Sequence, residues 1–179
     1  MTLSQHAKHY ASARHEAVCH RYGNRPYAYH LQMVADTAGL FLDGYPPAER
    51  EVILAACWCH DLIEDARETY NDVKAQVGET VAEIVFALTN EKGRTRAERA
   101  NDRYYAGIRA TPHAALVKLC DRIANVRASR EDGGRLFEVY RAEYPGFREK
   151  LYEPGKLEAL WSRLEAELAW NADPFALPE

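Results

Sequence analysis

Residues Ala55–Asp65 read AACWCHDLIED: an apolar run leads straight into His60-Asp61, and Glu64-Asp65 follow one helical turn later. In a continuous helix each residue advances by about 100°. The spacing therefore predicts His60 and Glu64 on one face and Asp61 and Asp65 on a neighbouring one. Three carboxylates and an imidazole at the end of a core helix are costly to bury without a cationic partner. A divalent metal is the simplest such partner.

Two further segments carry donors that could complete a metal site. His30 lies in PYAYHLQMVAD, near the start of a helical pattern, and Asp121 lies in LVKLCDRIANV, inside an otherwise apolar one. His30, His60, Asp61 and Asp121 together offer two nitrogens and two oxygens. Such a mixed set suits manganese, iron(II), cobalt or zinc, with positions left for water. The plainer readings are a hydrogen-bonded core histidine for His30, and an ion pair with Arg122 or Arg127 for Asp121.

Composition narrows the class. The chain has 179 residues and a formal net charge of −4, with a pI near 6.0. That length suits one domain with a substantial core. The acidic balance disfavours a dedicated nucleic-acid binder. The polar start MTLSQHAKHY lacks the apolar stretch of a signal peptide, and no run reaches the roughly 20 residues of a membrane span. The default expectation is a soluble cytoplasmic protein. Cys19, Cys57, Cys59 and Cys120 have no zinc-finger spacing and are expected as reduced, structural thiols.

Hydrophobic periodicity predicts helices over Leu3–Arg21, Tyr27–Leu42, Ala48–Glu64 and Tyr70–Gln76, the last capped by Thr69 and closed by Gly78. Thr80–Leu88 reads as a buried helix and Ala97–Ile108 as a charged one. Pro112 stands at the tolerated first position of the next helix, which Gly133-Gly134 ends. Arg135–Tyr152 and Lys156–Trp170 close the chain, with a tail beyond them. Trp58, Trp161 and Trp170 read as packing residues, and the five other histidines as surface or cap residues. No segment shows strand alternation with a hairpin signal. The fold class expected is all-α: one bundle of roughly eight to ten helices over 1–179.

The pattern H…HD…D is the signature of HD-domain phosphohydrolases. RYGNRPYAYH (Arg21–His30), HDLIED (His60–Asp65), VGETVAEIVFALTN (Val77–Asn90), LVKLCDRIANVR (Leu116–Arg127) and RLFEVY (Arg135–Tyr140) together resemble the hydrolase domain of the RelA/SpoT family, and most of all its free-standing, Mesh1-type small alarmone hydrolases. The likeness covers about residues 15–150. It implies that His30, His60, Asp61 and Asp121 bind one Mn²⁺ and that Glu64 and Asp65 are the catalytic pair. It further implies that Arg21 packs on a guanine base, that Asn125 approaches the sugar, and that Arg96 and Arg135 approach the phosphates. The implied reaction removes the 3′-pyrophosphate of guanosine tetra- or pentaphosphate, giving GDP or GTP and pyrophosphate.

The sequence departs from the family at Gly23-Asn24-Arg25, where Ser-Gly-Glu is common, at Leu31 in place of Pro, and at Asn90 in place of Lys. These changes leave open an HD-type phosphohydrolase acting on another nucleotide, such as a nucleotidase or an NADPH phosphatase. A non-catalytic nucleotide-binding or scaffold protein would predict loss of a ligand or of the Glu64-Asp65 pair, and neither is lost. The expected partner is a small nucleotide, with neither nucleic acid nor membrane, and a homo-oligomer is compatible with the reading.

Overall fold

The computed structural model describes residues 1–131 and 135–169. Helix α1 (Leu3–Ala17) opens on a capping box, in which the Thr2 hydroxyl accepts from the Gln5 amide and the Gln5 side chain accepts from the Thr2 amide. A short hairpin follows: β1 (Arg21–Tyr22) pairs antiparallel with β2 (Arg25–Pro26). Then come α2 (Ala28–Gly39), α3 (Pro47–Cys59), the single turn α4 (Leu62–Asp65), α5 (Tyr70–Val77), α6 (Glu79–Leu88) and the single turn α7 (Arg96–Arg99). Helices α8 (Asp102–Ala110), α9 (Ala114–Glu131), α10 (Arg135–Leu151) and α11 (Glu158–Leu168) complete the chain. Nine of these helices have eight residues or more, so the all-α expectation holds among the described residues.

Helix α9 is the axle of the bundle. It packs against α2, α3, α6, α8, α10 and α11. Its Leu119, Cys120, Ile123 and Val126 are wholly buried, each large aliphatic side chain contributing roughly 1.5–3 kcal/mol. A helix buried on nearly every side has no polar face to spare, so the charges it carries must find partners. One set does so at its far end. Glu167 of α11 is 5% exposed and takes Arg130 Nη1 at 2.6 Å, Arg163 Nη2 at 2.7 Å and Arg127 Nε at 3.5 Å. That cluster ties α11 to α9.

Several boundaries differ from the sequence reading. Helix α1 stops at Ala17 because Cys19 turns left-handed, at φ 55°, and the chain enters the hairpin, whose turn uses Gly23 at φ 56°. The hairpin was not foreseen; its strands are two residues each, too short to show alternation. The segment Ala97–Ile108 divides at Ala100–Asn101, where the Asn101 side chain caps α8 by accepting from the Tyr104 amide. Pro112 falls before α9, which starts at Ala114 after His113 at φ 65°. Lys156 lies in the turn before α11. The Thr69 cap and the Gly78 closure of α5 are as expected, and the one glycine, at φ 89°, both ends α5 and precedes α6. Trp58 and Trp161 are buried in the core. The Gly133-Gly134 turn, Trp170 and the tail from Asn171 lie outside the described residues. No helix among the described residues is long and apolar enough to cross a membrane.

Candidate active site

The break that matters most is at His60-Asp61. Helix α3 ends at Cys59, Asp61 takes φ −102° and ψ 6°, and α4 starts afresh at Leu62. The continuous helix expected through Glu64 is therefore interrupted. The Asp65 amide still donates to the Asp61 carbonyl at 2.9 Å, but the acid pair rides on a separate turn.

The third residue of α2, the end of α3 and the middle of α9 meet at one point. Donor atoms of His30, His60 and Asp121 lie within 4.8 Å of one another. His30 Nε2 and His60 Nε2 are 3.3 Å apart, and Asp121 Oδ1 is 3.3 Å from the first and 3.7 Å from the second. Asp61 Oδ2 approaches the same imidazoles, at 3.0 Å from His60 and 3.8 Å from His30. Both histidines are buried.

This arrangement fits a cation. The Cys57 carbonyl can only accept, so His60 Nδ1, 2.8 Å away, must carry the proton. Nε2 is then the atom turned toward His30 Nε2 and two carboxylates, and the one that can exchange a proton for a metal ion. Asp121 and Asp61 bring two negative charges, and Lys118, whose Nζ donates to Asp121 Oδ2 at 2.9 Å, brings one positive charge. Burial alone would lower the His60 pKa, yet Asp61 and Asp121 together hold it well above the ordinary imidazole value. Both carboxyls are held low despite burial, Asp61 chiefly by His60, and Asp121 by Lys118 and then the histidines. A divalent ion at the point where the donors converge would serve the same carboxylates better than a proton.

Neighbouring groups hold these donors in place. Asn125 Nδ2 donates to Asp121 Oδ1 at 2.6 Å and its Oδ1 accepts from Tyr22 at 3.0 Å. Tyr27 donates its hydroxyl proton to Asp61 Oδ2. The His30 ring stacks on Tyr22, with centroids 4.8 Å apart, while its Nδ1 has no hydrogen-bond partner among the described residues. Behind Tyr27 stand two histidines expected as surface or cap residues, of which His15 is instead buried and His20 half-buried. His15 is 1% exposed, its Nδ1 lies 3.0 Å from that of His20, and His20 stacks on Tyr27 at 3.8 Å.

A cleft of about 450 Å³ opens over this point. Asp61, Asp121 and Asn125 line it beside Glu64 and Asp65. Glu64 is anchored by Asn90, whose side-chain and backbone amides donate to it at 2.9 and 3.2 Å. The Asp65 carboxyl is pushed up to about 7, first by burial and then by the charges of Asp61 and Glu64. Part of the lining is a basic wall, with Arg96, Lys118, Arg122 and Lys150. Arg96 forks onto Glu143 at 2.7 and 3.0 Å, and Arg122 reaches the same carboxylate at 2.9 Å.

Of the residues singled out in the sequence, His30, His60, Asp61, Glu64, Asp65, Arg96, Asp121 and Asn125 are brought together. Arg21 is not among the cleft's lining residues; its guanidinium donates to the Asn24 carbonyl within its own hairpin at 2.6 Å. Arg135, exposed at the start of α10, also lies outside that lining. Arg122 takes its place in the basic wall. The sequence reading weighed Arg122 only as a partner for Asp121, a place Lys118 fills; Arg127 pairs with Glu167 instead. The spacing of Lys118, three residues before Asp121 on one helix, was the available signal.

The all-α bundle thus gathers His30, His60, Asp61 and Asp121 beneath a polar cleft. No protein-family model matches the chain. It is 38% identical over 77 residues to the guanosine-3′,5′-bis(diphosphate) 3′-pyrophosphohydrolase MESH1 of Danio rerio, covering 43% of this chain and 42% of the relative. It is 33% identical over 76 residues to the Mus musculus protein of the same name, again covering 42% of the relative. A guanosine-3′,5′-bis(diphosphate) 3′-pyrophosphohydrolase of Aquifex aeolicus matches at 34% identity over 128 residues, 69% of this chain and 17% of the relative. The chain thus spans less than half the length of each of these curated relatives. The resemblance they support is to Mesh1-like, HD-type alarmone hydrolases.

Proposed function

We propose that the protein is a soluble, cytoplasmic, Mn²⁺-dependent 3′-pyrophosphohydrolase of guanosine alarmones. The observation that carries this reading is the convergence of His30, His60 and Asp121 donors within 4.8 Å beside a cleft whose lining holds both an acid pair and guanidinium groups. His30, His60, Asp61 and Asp121 hold the metal. When bound, it supplies a Lewis acid toward water and toward a phosphoryl oxygen.

The chain's own groups do the rest. Asn125 and Lys118 hold the two oxygens of Asp121, and Tyr27 holds Asp61. Glu64, fixed by Asn90, and Asp65 form the proton-transfer pair. One takes the proton of the attacking water and one delivers a proton to the departing 3′ oxygen. Water adds to the phosphorus next to the sugar, the bond from that phosphorus to the 3′ oxygen breaks, and pyrophosphate leaves. Arg96 and Arg122 neutralise the charge that collects on the pyrophosphoryl oxygens, a task suited to guanidinium forks.

One observation favours a second reading. Arg21, which the resemblance assigns to the guanine base, is bonded to its own hairpin at Asn24. A different nucleotide is then served by the same centre. A product assay separates the two. Mn²⁺-loaded protein is incubated with ppGpp, NADPH and GMP, and nucleotide, pyrophosphate and orthophosphate are resolved. GDP and pyrophosphate from ppGpp are the expected products. Orthophosphate from another nucleotide, with ppGpp intact, overturns the substrate assignment and leaves the metal centre standing.

A further inference from the structure

The two arginines of the basic wall already share an anion. Arg96 comes from the single turn α7, Arg122 from the buried axle α9, and Glu143 from α10. The Glu143 carboxylate spans both guanidinium groups, at 2.7 and 3.0 Å from Arg96 and 2.9 Å from Arg122. Both guanidinium groups also lie over the Tyr140 ring, at 5.5 and 4.8 Å from its centre. All four residues line the cleft. Burial would raise the Glu143 pKa, but the paired arginines lower it below the ordinary value, so the carboxylate is charged at neutral pH.

We propose that Glu143 is a carboxylate latch across Arg96 and Arg122, which an incoming pyrophosphoryl group must displace, making Glu143 a specificity-determining residue for groups with several negative charges. The inference rests on the cleft being the phosphate site proposed above. A carboxylate carries one charge shared over two oxygens. A pyrophosphoryl group carries more charge over more oxygens, and it can engage two forks at once. A singly charged group gains little by the exchange, because it replaces an anion of equal charge that is already tethered. The two arginines differ in freedom: the Arg122 side chain is 12% exposed and the Arg96 side chain 50%. On displacement Arg122 stays as the fixed half of the clamp, and Arg96 is the half that can adjust.

The test uses the full chain with free Mn²⁺ held constant by a metal buffer, titrated with inorganic pyrophosphate and with inorganic phosphate in a calorimeter. Glu143→Gln removes the charge with little change of shape. Glu143→Asp keeps the charge but shortens the reach, so it cannot hold both arginines. Binding of pyrophosphate is expected to tighten in the order wild type, Asp, Gln, by roughly three- to tenfold at the last step. Phosphate is expected to gain by a larger factor, narrowing the preference for pyrophosphate. If Glu143 merely positions the arginines, affinity falls in the same order. Unchanged or weaker binding in both variants overturns the latch. Thermal melts verify that each variant is folded, and the Asp variant carries the test if the Gln variant is not. The readout needs no turnover, so failure of the ppGpp assay with a tightened pyrophosphate isotherm removes the substrate and keeps the latch.

Discussion

The imidazole of His60 donates from Nδ1 to the carbonyl of Cys57, three residues back, across 2.8 Å. This bond fixes the tautomer and turns Nε2 toward His30 and the two aspartates. A residue at the end of a helix thereby uses a carbonyl of its own last turn to present a metal-ligating lone pair.

Asp121→Ala should lose bound metal and activity together, since it removes the anionic donor nearest His30. Asn125→Ala should act more mildly, because Asn125 holds Asp121 Oδ1 rather than the metal. Metal affinity is expected to fall by about 10–100-fold. Metal analysis of dialysed protein checks both, and a full metal complement in Asp121→Ala would remove Asp121 from the ligand set.

Glu64→Ala should retain metal and lose turnover by about 10²–10⁴-fold. Asn90→Ala, which removes one of the two bonds that hold Glu64 and leaves the backbone one, should lose less. Wild-type turnover in Glu64→Ala, measured beside its metal content, would strip Glu64 of its proposed role.

The His15 pKa lies near 4, chiefly because burial disfavours the charged ring; Asp61 opposes the shift, and His20, His60 and His30 add to it. Its folded value is below the unfolded one, near 6.5, so between these pH values the unfolded chain binds more protons. Stability from this group is complete above about pH 6.5 and is lost as pH falls toward 4. The melting temperature of wild type should drop over that window more than that of His15→Phe. Parallel profiles would show that His15 is not the group responsible.

Glu167→Ala removes the carboxylate that three arginines share. The loss should be about 2 kcal/mol, or roughly 4–8 °C in melting temperature for a chain of this length. The arginines are part-exposed and regain water, which limits the cost. Thermal unfolding with metal content held constant reads it out.

The clustering of His60, Asp61 and Asp121 was legible because they stand in apolar surroundings, where a charge is conspicuous. The helical architecture was legible for a related reason, in that caps such as Thr69 and closures such as Gly78 are local. What was hidden depends on distant packing. The break after Cys59 has no glycine or proline to mark it, and the hairpin at Arg21–Pro26 is too short for a period. The choice of Arg122 over Arg135 turns on Glu143, which lies 21 residues beyond Arg122 in the sequence. The burial of His15 turns on Tyr27, in another element.

The break at His60-Asp61 also divides the site into two separately supported parts. Of the proposed metal donors, His30, His60 and Asp121 belong to the ends and middle of core helices, where a shift of one must move its neighbours, while Asp61 stands at the junction with the next turn. Glu64 belongs to a four-residue turn and is held by Asn90, just beyond α6. Changes in the loop after α6 can therefore re-aim the proton-transfer pair while the ligand geometry stays as it is. Metal affinity and turnover are then separable properties, open to adjustment one at a time.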